Sequence, residues 1–168
     1  MRLLRNILTN ITGRRYAQVH DVQIKYVKEL GPGTRAANEA KTGVGMEEKN
    51  VFSHPLTLHS TRPLTGFLRT GYCESPVSDA GNHSVAAIVT NEFLDFSAAR
   101  GNDLRRAGLT DGCKWCLCVA RWKEAFDART GDDDKKVPRV VLSATNKRAL
   151  EGVTMEELRR FAVDGEGR

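Results

Sequence analysis

From Val51 onward the apolar positions gather into short, compact patterns. Ser84-Val85-Ala86-Ala87-Ile88-Val89 is an almost unbroken apolar run, which predicts a buried strand over 84–89. Thr90 or Asn91 then offers a helix cap, Phe93, Leu94 and Phe96 supply apolar contacts, and Gly101 stops a helix that runs through Arg100. After a loop over 102–112, Trp115, Val119, Trp122 and Phe126 recur at i, i+4, i+7 and i+11, the spacing of one helical face. Gly131-Asp132-Asp133-Asp134 reads as a solvated turn, and 137–142 as a second strand. Thr154-Met155-Glu156-Glu157 is a capping box opening a last helix that carries Leu158, Phe161 and Val163. Short strands mixed with about three helices, without regular βαβ alternation, predict a small α+β domain over 51–163, followed by a flexible tail, 164–168. There is no internal repeat and no low-complexity tract.

The front of the chain is built differently. Residues 1–20 hold four arginines and no acid, with Leu3, Leu4, Ile7, Leu8 and Ile11 on one helical face. Basic, amphipathic and acid-free is the make-up of a mitochondrial targeting segment, and Arg14-Arg15 before Tyr16 fits a processing region. An amphipathic surface helix of the mature protein has the same pattern. Residues 21–50, broken by Gly31-Pro32-Gly33 and by Thr42-Gly43-Val44-Gly45, predict an extended arm or linker. The net charge of +5 divides as +4 over 1–50 and +1 over the rest. That asymmetry suits an anionic partner. Arg2, Arg5, Arg14, Arg15, Lys25 and Lys28 are therefore candidates for contacts with RNA phosphates or neighbouring proteins. No run approaches the roughly 18 apolar residues of a transmembrane helix, and none is expected.

Four cysteines change the picture next: Cys73, Cys113, Cys116 and Cys118. They are few, three are clustered, and no secretory segment precedes them, so reduced thiols are expected rather than a disulfide framework. Cys113 and Cys116 form one C-x2-C pair, but a structural zinc site draws on two. Cys73 and His83 are the nearest candidates to complete it. On a helix, Cys116 and Cys118 would point apart. A reactive thiol needs a base, a cation or a helix N-terminus beside it. Lys114 and Arg121 lie close to Cys116 and Cys118, whereas the flanking Trp115 and Trp122 favour burial of both sulfurs. Cys73, in the loop RTGYCES, stands out as the thiol to test first. Asn102 and Asp103 could face a ligand, although Gly followed by Asx is also ordinary turn chemistry. Phosphate-loop and dinucleotide fingerprints are absent, so no cofactor is expected.

Pro63-Leu64-Thr65-Gly66-Phe67, then Gly71, Cys73, His83, Glu92-Phe93-Leu94, Gly101-Asn102-Asp103-Leu104, Trp115-Cys116-Leu117-Cys118 and Arg121-Trp122 follow one another in this order. From about Asn50 to Val163 the chain closely resembles a bacterial-type family, domain of unknown function 2237. The resemblance implies a small α+β fold and no particular reaction. This chain departs from that family's pattern at His59 and Ala86, where the pattern has cysteines. Tyr72 replaces the first of a cysteine pair, Arg62 replaces an acid, and the loop 105–114 is shortened.

Two functional expectations follow. The first is a non-catalytic component of a large mitochondrial complex in the matrix, foremost the mitochondrial ribosome and next a respiratory-chain assembly. Its arm would touch rRNA phosphates or other proteins, and the departures from the pattern would mark chemistry given up. The second is a thiol- or metal-dependent enzyme acting on a small molecule through Cys73, His83, Asn102, Asp103, Cys116 and Cys118.

Overall fold

Val85-Ala86-Ala87-Ile88 forms the central strand, β1 (Val85–Ile88), of a three-stranded sheet. A computed structural model describes residues 48–165, within a unit that starts at Met46. Helix α1 (Asn91–Ala99) follows β1, then strand β2 (Lys114–Leu117), helix α2 (Val119–Asp127), strand β3 (Arg139–Val140) and helix α3 (Met155–Arg160). Short 3-10 turns fill Leu104–Ala107, Leu142–Ala144 and Lys147–Glu151. The strand order is β2-β1-β3, with both pairings antiparallel. The α+β expectation is met.

Because side chains alternate across a strand, β1 faces two different interiors. Val85 and Ala87 point into the main core with Leu117, Val140, Trp122, Phe126 and Phe161. Ala86 turns the other way, into a small cluster with Cys73, Cys116 and Ala144. On the main side Trp122 stacks on Phe126 at 5.3 Å, and Phe161 meets both rings edge-on. The buried indole N–H of Trp122 donates to the Pro138 carbonyl at 3.0 Å, so the large side chain leaves no unpaired donor.

The helix signals work as written. Thr90 Oγ1 accepts from Phe93 N at 3.1 Å to cap α1, and Gly101 continues past its end at φ +78°. Thr154 and Glu157 close a reciprocal capping box on α3.

Four details differ from expectation. Trp115 belongs to β2 rather than to a helix, because pairing with Ala87 satisfies its backbone; the buried helical face starts at Val119. The second strand shrinks to Arg139–Val140, since Leu142–Ala144 tightens into a 3-10 turn. The loop over 102–112 contains the 3-10 turn Leu104–Ala107, with Asp103 as its cap. Val163 is 55% exposed, because α3 ends at Arg160 and Phe161 is the last side chain it buries.

Residues 48–83 contain no helix or named strand, so their backbone is tied down piecemeal. Asn50 accepts from the N–H groups of Phe52 and His54 and donates to the Ser143 carbonyl. His59 Nε2 donates to the Ala87 carbonyl at 3.0 Å, while its Nδ1 is buried without a partner. Burial therefore pushes the His59 imidazole down to about 4, assisted by the charge on Lys114 and opposed by the Ala87 hydrogen bond and Asp164.

Two predictions follow from the packing. Phe161→Ala should lower the free energy of unfolding by about 3–5 kcal/mol, read by chemical denaturation. His59 stays neutral in the fold down to about pH 4 but takes up a proton near pH 6.5 once unfolded. Its contribution is therefore complete above about pH 6.5 and is lost as pH falls toward 4. His59→Gln, which keeps a donor for Ala87, should flatten the wild-type loss of stability in that window; an unchanged slope would refute the assignment.

Candidate active site

The β1–β2 register sets the site. Val85 opposes Leu117, and beyond the strand ends, two residues past Leu117 and three before Val85, Val119 N donates to the Asn82 carbonyl at 3.0 Å. His83, just before β1, is thereby brought beside Cys118, just after β2. Cys118 is the N-cap residue of α2, and its side chain makes no capping hydrogen bond. Its sulfur is left free at the positive end of a nine-residue helix.

His83 is held from behind. Its Nδ1 lies 2.7 Å from Asp79 Oδ1, and its backbone N–H donates to Asp79 Oδ2 at 2.7 Å. Asp79 is fully buried and also accepts from Gly81 N and Ser75 Oγ, each at 3.2 Å. Arg148 Nη1 donates to the carbonyls of Ser75, Pro76 and Asp79, which fixes the loop around that carboxylate. Phe67 stacks on the His83 ring at 6.1 Å and 22°. Gly81 faces the same ring so closely that an added Cβ would lie 2.5 Å from His83 Cε1, so no larger residue fits without moving the imidazole.

The charges follow from this geometry. Burial alone would lower the His83 pKa, but the hydrogen bond it donates to Asp79 and the contact with Cys118 outweigh it and raise it to about 10. Burial would likewise raise Asp79, but its bonds from the His83 ring and backbone and from Ser75 win and hold it below the ordinary carboxylate range. At neutral pH the pair is an imidazolium on a carboxylate. With Nδ1 held by Asp79, Nε2 carries the second N–H of the imidazolium.

The other cysteines correct the expectation of reduced thiols. Cys73 and Cys116 form a disulfide with a Cα–Cα distance of 5.4 Å, and they are 0% and 2% exposed. Cys73 is therefore not the accessible thiol. The sequence places these two sulfurs 43 residues apart, so only the fold brings them together. Cys116 N also donates to Thr65 Oγ1 at 2.7 Å, tying the same loop to β2. Packing alone does not account for Trp115-Cys116-Leu117-Cys118: Trp115 is half-buried beneath the Arg69 guanidinium at 4.6 Å, Cys116 is cross-linked, and Cys118 faces His83.

Among the expected site residues, Cys118 and His83 converge, with the Cys73–Cys116 bond on the neighbouring strand. Asn102 and Asp103 do not join them. Asn102 is bonded to Ser97 at 3.0 Å, and Asp103 accepts from Arg105 N at 3.2 Å to cap its turn. Cys113 Sγ accepts from Thr110 N at 3.4 Å. Cys73, His83, Cys113 and Cys116 do not assemble as metal ligands, and among the described residues no three His, Cys, Asp or Glu side chains do. Arg2, Arg5, Arg14, Arg15, Lys25 and Lys28 lie outside the described residues. Asp79, Gly81 and Arg148 escaped notice in the sequence, and Phe67 was noted only as part of the Pro63–Phe67 block. The signal for the first two was local: Asp79-Ala80-Gly81-Asn82-His83 places a carboxylate four residues before a histidine with a glycine between.

The family model described as an uncharacterized protein conserved in bacteria, DUF2237, matches residues 49–162, which hold all of these groups. The chain belongs to that family. No curated protein matches it. Of the positions that depart from the resembled pattern, His59 is bonded to β1, Ala86 lies within it and Tyr72 directly precedes Cys73, while Cys118, His83 and the Cys73–Cys116 bond are retained. No helix among the described residues is long and apolar enough to cross a membrane.

Gly81→Ala should displace the imidazole and slow alkylation of Cys118 by about tenfold, with the fold retained by circular dichroism. Equal rates in variant and wild type would show that His83 does not serve the sulfur.

Proposed function

We propose that this chain is a thiol-dependent enzyme acting on a small molecule, with Cys118 as the nucleophile. The observation that carries this reading is the line Asp79–His83–Cys118 at the start of α2. The Cys118 sulfur forms the bond to an electrophilic atom of the substrate. His83 supplies a positive charge and a proton, which passes to the departing atom as its bond breaks. Asp79 is a positioning residue: it fixes the ring's orientation and keeps the imidazolium charged. Phe67 stacks against one face of the ring.

This reading is preferred to a scaffold role in a mitochondrial assembly, whose basis is the charge and composition of residues 1–50. The thiol arrangement stands on residues whose contacts are described.

Carbamidomethylation with iodoacetamide near pH 6, followed by peptide mapping, tests it with an internal control. Cys118 should react at least about tenfold faster than Cys113, which is also half-buried but has no imidazolium. His83→Gln should remove that advantage while leaving Cys113 unchanged. If the two cysteines react alike in the wild type, Cys118 is not an activated nucleophile.

A further inference from the structure

Phe67, whose ring stacks on His83, is followed two residues later by Arg69, and the loop that carries both is firmly built. Thr65 is buried and its Oγ1 accepts from Cys116 N at 2.7 Å. Gly71 N donates to the Thr65 carbonyl at 3.0 Å, and Arg69 N donates to the Gly66 carbonyl at 3.1 Å. Arg69 itself sits at φ +55°, a left-handed backbone that residues other than glycine seldom adopt and that recurs at ligand sites. Its guanidinium lies 4.6 Å from the centroid of the Trp115 ring. Among the described residues that guanidinium has no carboxylate or carbonyl partner. Burial lowers the Arg69 pKa and is the only influence on it, so no charged side chain of either sign stands close by. A half-buried cation without an acid is costly until an anion meets it. The loop thus holds an aromatic ring against the His83 imidazolium and, two residues on, an unpaired guanidinium against β2. Trp115 precedes Cys118 by three residues, which places the two about 10 Å apart along the chain. One small molecule can bridge that span.

We propose that Arg69 sets the specificity of the Cys118 site, and that the substrate is a small electrophile bearing a carboxylate, which the guanidinium holds while the reactive atom lies at the sulfur. The proposal rests on Cys118 being the nucleophile. A guanidinium over an aromatic ring keeps its N–H edges free, and that planar fork offers two parallel N–H···O bonds to the two oxygens of a carboxylate. One isolated cation also matches one negative charge. A lysine in its place keeps the charge but cannot hold both oxygens in one plane. Arg69 touches no reacting atom, so it works through binding and orientation of the substrate, and the bond-making step at Cys118 proceeds without it once a neutral electrophile is in place.

The test uses the full chain and two matched probes, 4-(iodoacetamido)butanoate and its neutral primary amide. With either one the Cys118 sulfur forms a bond to the methylene carbon as the carbon–iodine bond breaks and iodide leaves, so the probes differ only in the remote charge. Rates at Cys118 and Cys113 are read by peptide mapping at low salt. The acid should outpace the amide at least about fivefold at Cys118, with no preference at Cys113. Arg69→Gln should abolish that preference and leave the amide rate at Cys118 unchanged, while Arg69→Lys keeps part of it. In the wild type, unreactive 4-acetamidobutanoate should protect Cys118 saturably against iodoacetamide, and its amide should not. Equal rates for acid and amide at Cys118, an acid preference that survives Arg69→Gln, or absence of protection overturns the proposal. If that happens while the neutral amide still modifies Cys118 faster than Cys113, the carboxylate site falls and the nucleophile stands. If the amide shows no selectivity for Cys118, both fall.

Discussion

The hydrogen bond from Val119 N to the Asn82 carbonyl extends the β1–β2 pairing past the last strand residues, and the chemistry of the molecule hangs on that extension. Antiparallel strands diverge where their ladder ends. Here they are kept together past the strand ends, so the residue entering β1 and the residue leaving β2 remain neighbours. Since α2 begins at Val119, the same bond ties the helix N-terminus to the residue preceding His83. A shift of one residue in the register would send Cys116 toward the aromatic core and Leu117 toward Cys73, removing the disulfide and the Cys118–His83 contact together.

A buried carboxylate is costly unless its oxygens are occupied, and Asp79 shows how the loop meets that demand. Two backbone N–H groups, a hydroxyl and the His83 ring converge on it. Arg148 gathers the surrounding carbonyls rather than the carboxylate itself. The arginine therefore shapes the loop without competing with the imidazolium for Asp79. Were it to pair directly with the carboxylate, His83 would lose much of the partner that keeps it protonated.

What could be read in the sequence was local. The Thr90 cap, Gly101, the Thr154–Glu157 box and the apolar run 84–89 each act over a few residues, and the fold uses all of them. The helical spacing from Trp115 to Phe126 was misleading at its front end, because a four-residue strand and the start of a helix can share an i, i+4 coincidence. The disulfide joins positions 43 residues apart and has no spacing signature. His83 was visible as a candidate, but its meaning depends on Asp79 behind it and Cys118 in front. The first was within reach of a four-residue spacing; the second required the strand register.

The Cys73–Cys116 cross-link is one of several ties on the segment before β1. Closing a loop of 43 residues constrains the unfolded chain by about 4 kcal/mol in the entropic account, a large share of a small domain's stability. If that were the loop's sole attachment, reduction would free the whole segment before β1. Other ties hold it independently of sulfur. Thr65 accepts from Cys116 N, His59 reaches Ala87, Asn50 reaches Ser143, and Arg148 grips Ser75, Pro76 and Asp79. Each ends on β1, on β2 or on the segment after β3, so the loop stays seated when the sulfurs part. The Thr65 bond is the most telling, because it holds the backbone of Cys116 itself, at one end of the disulfide.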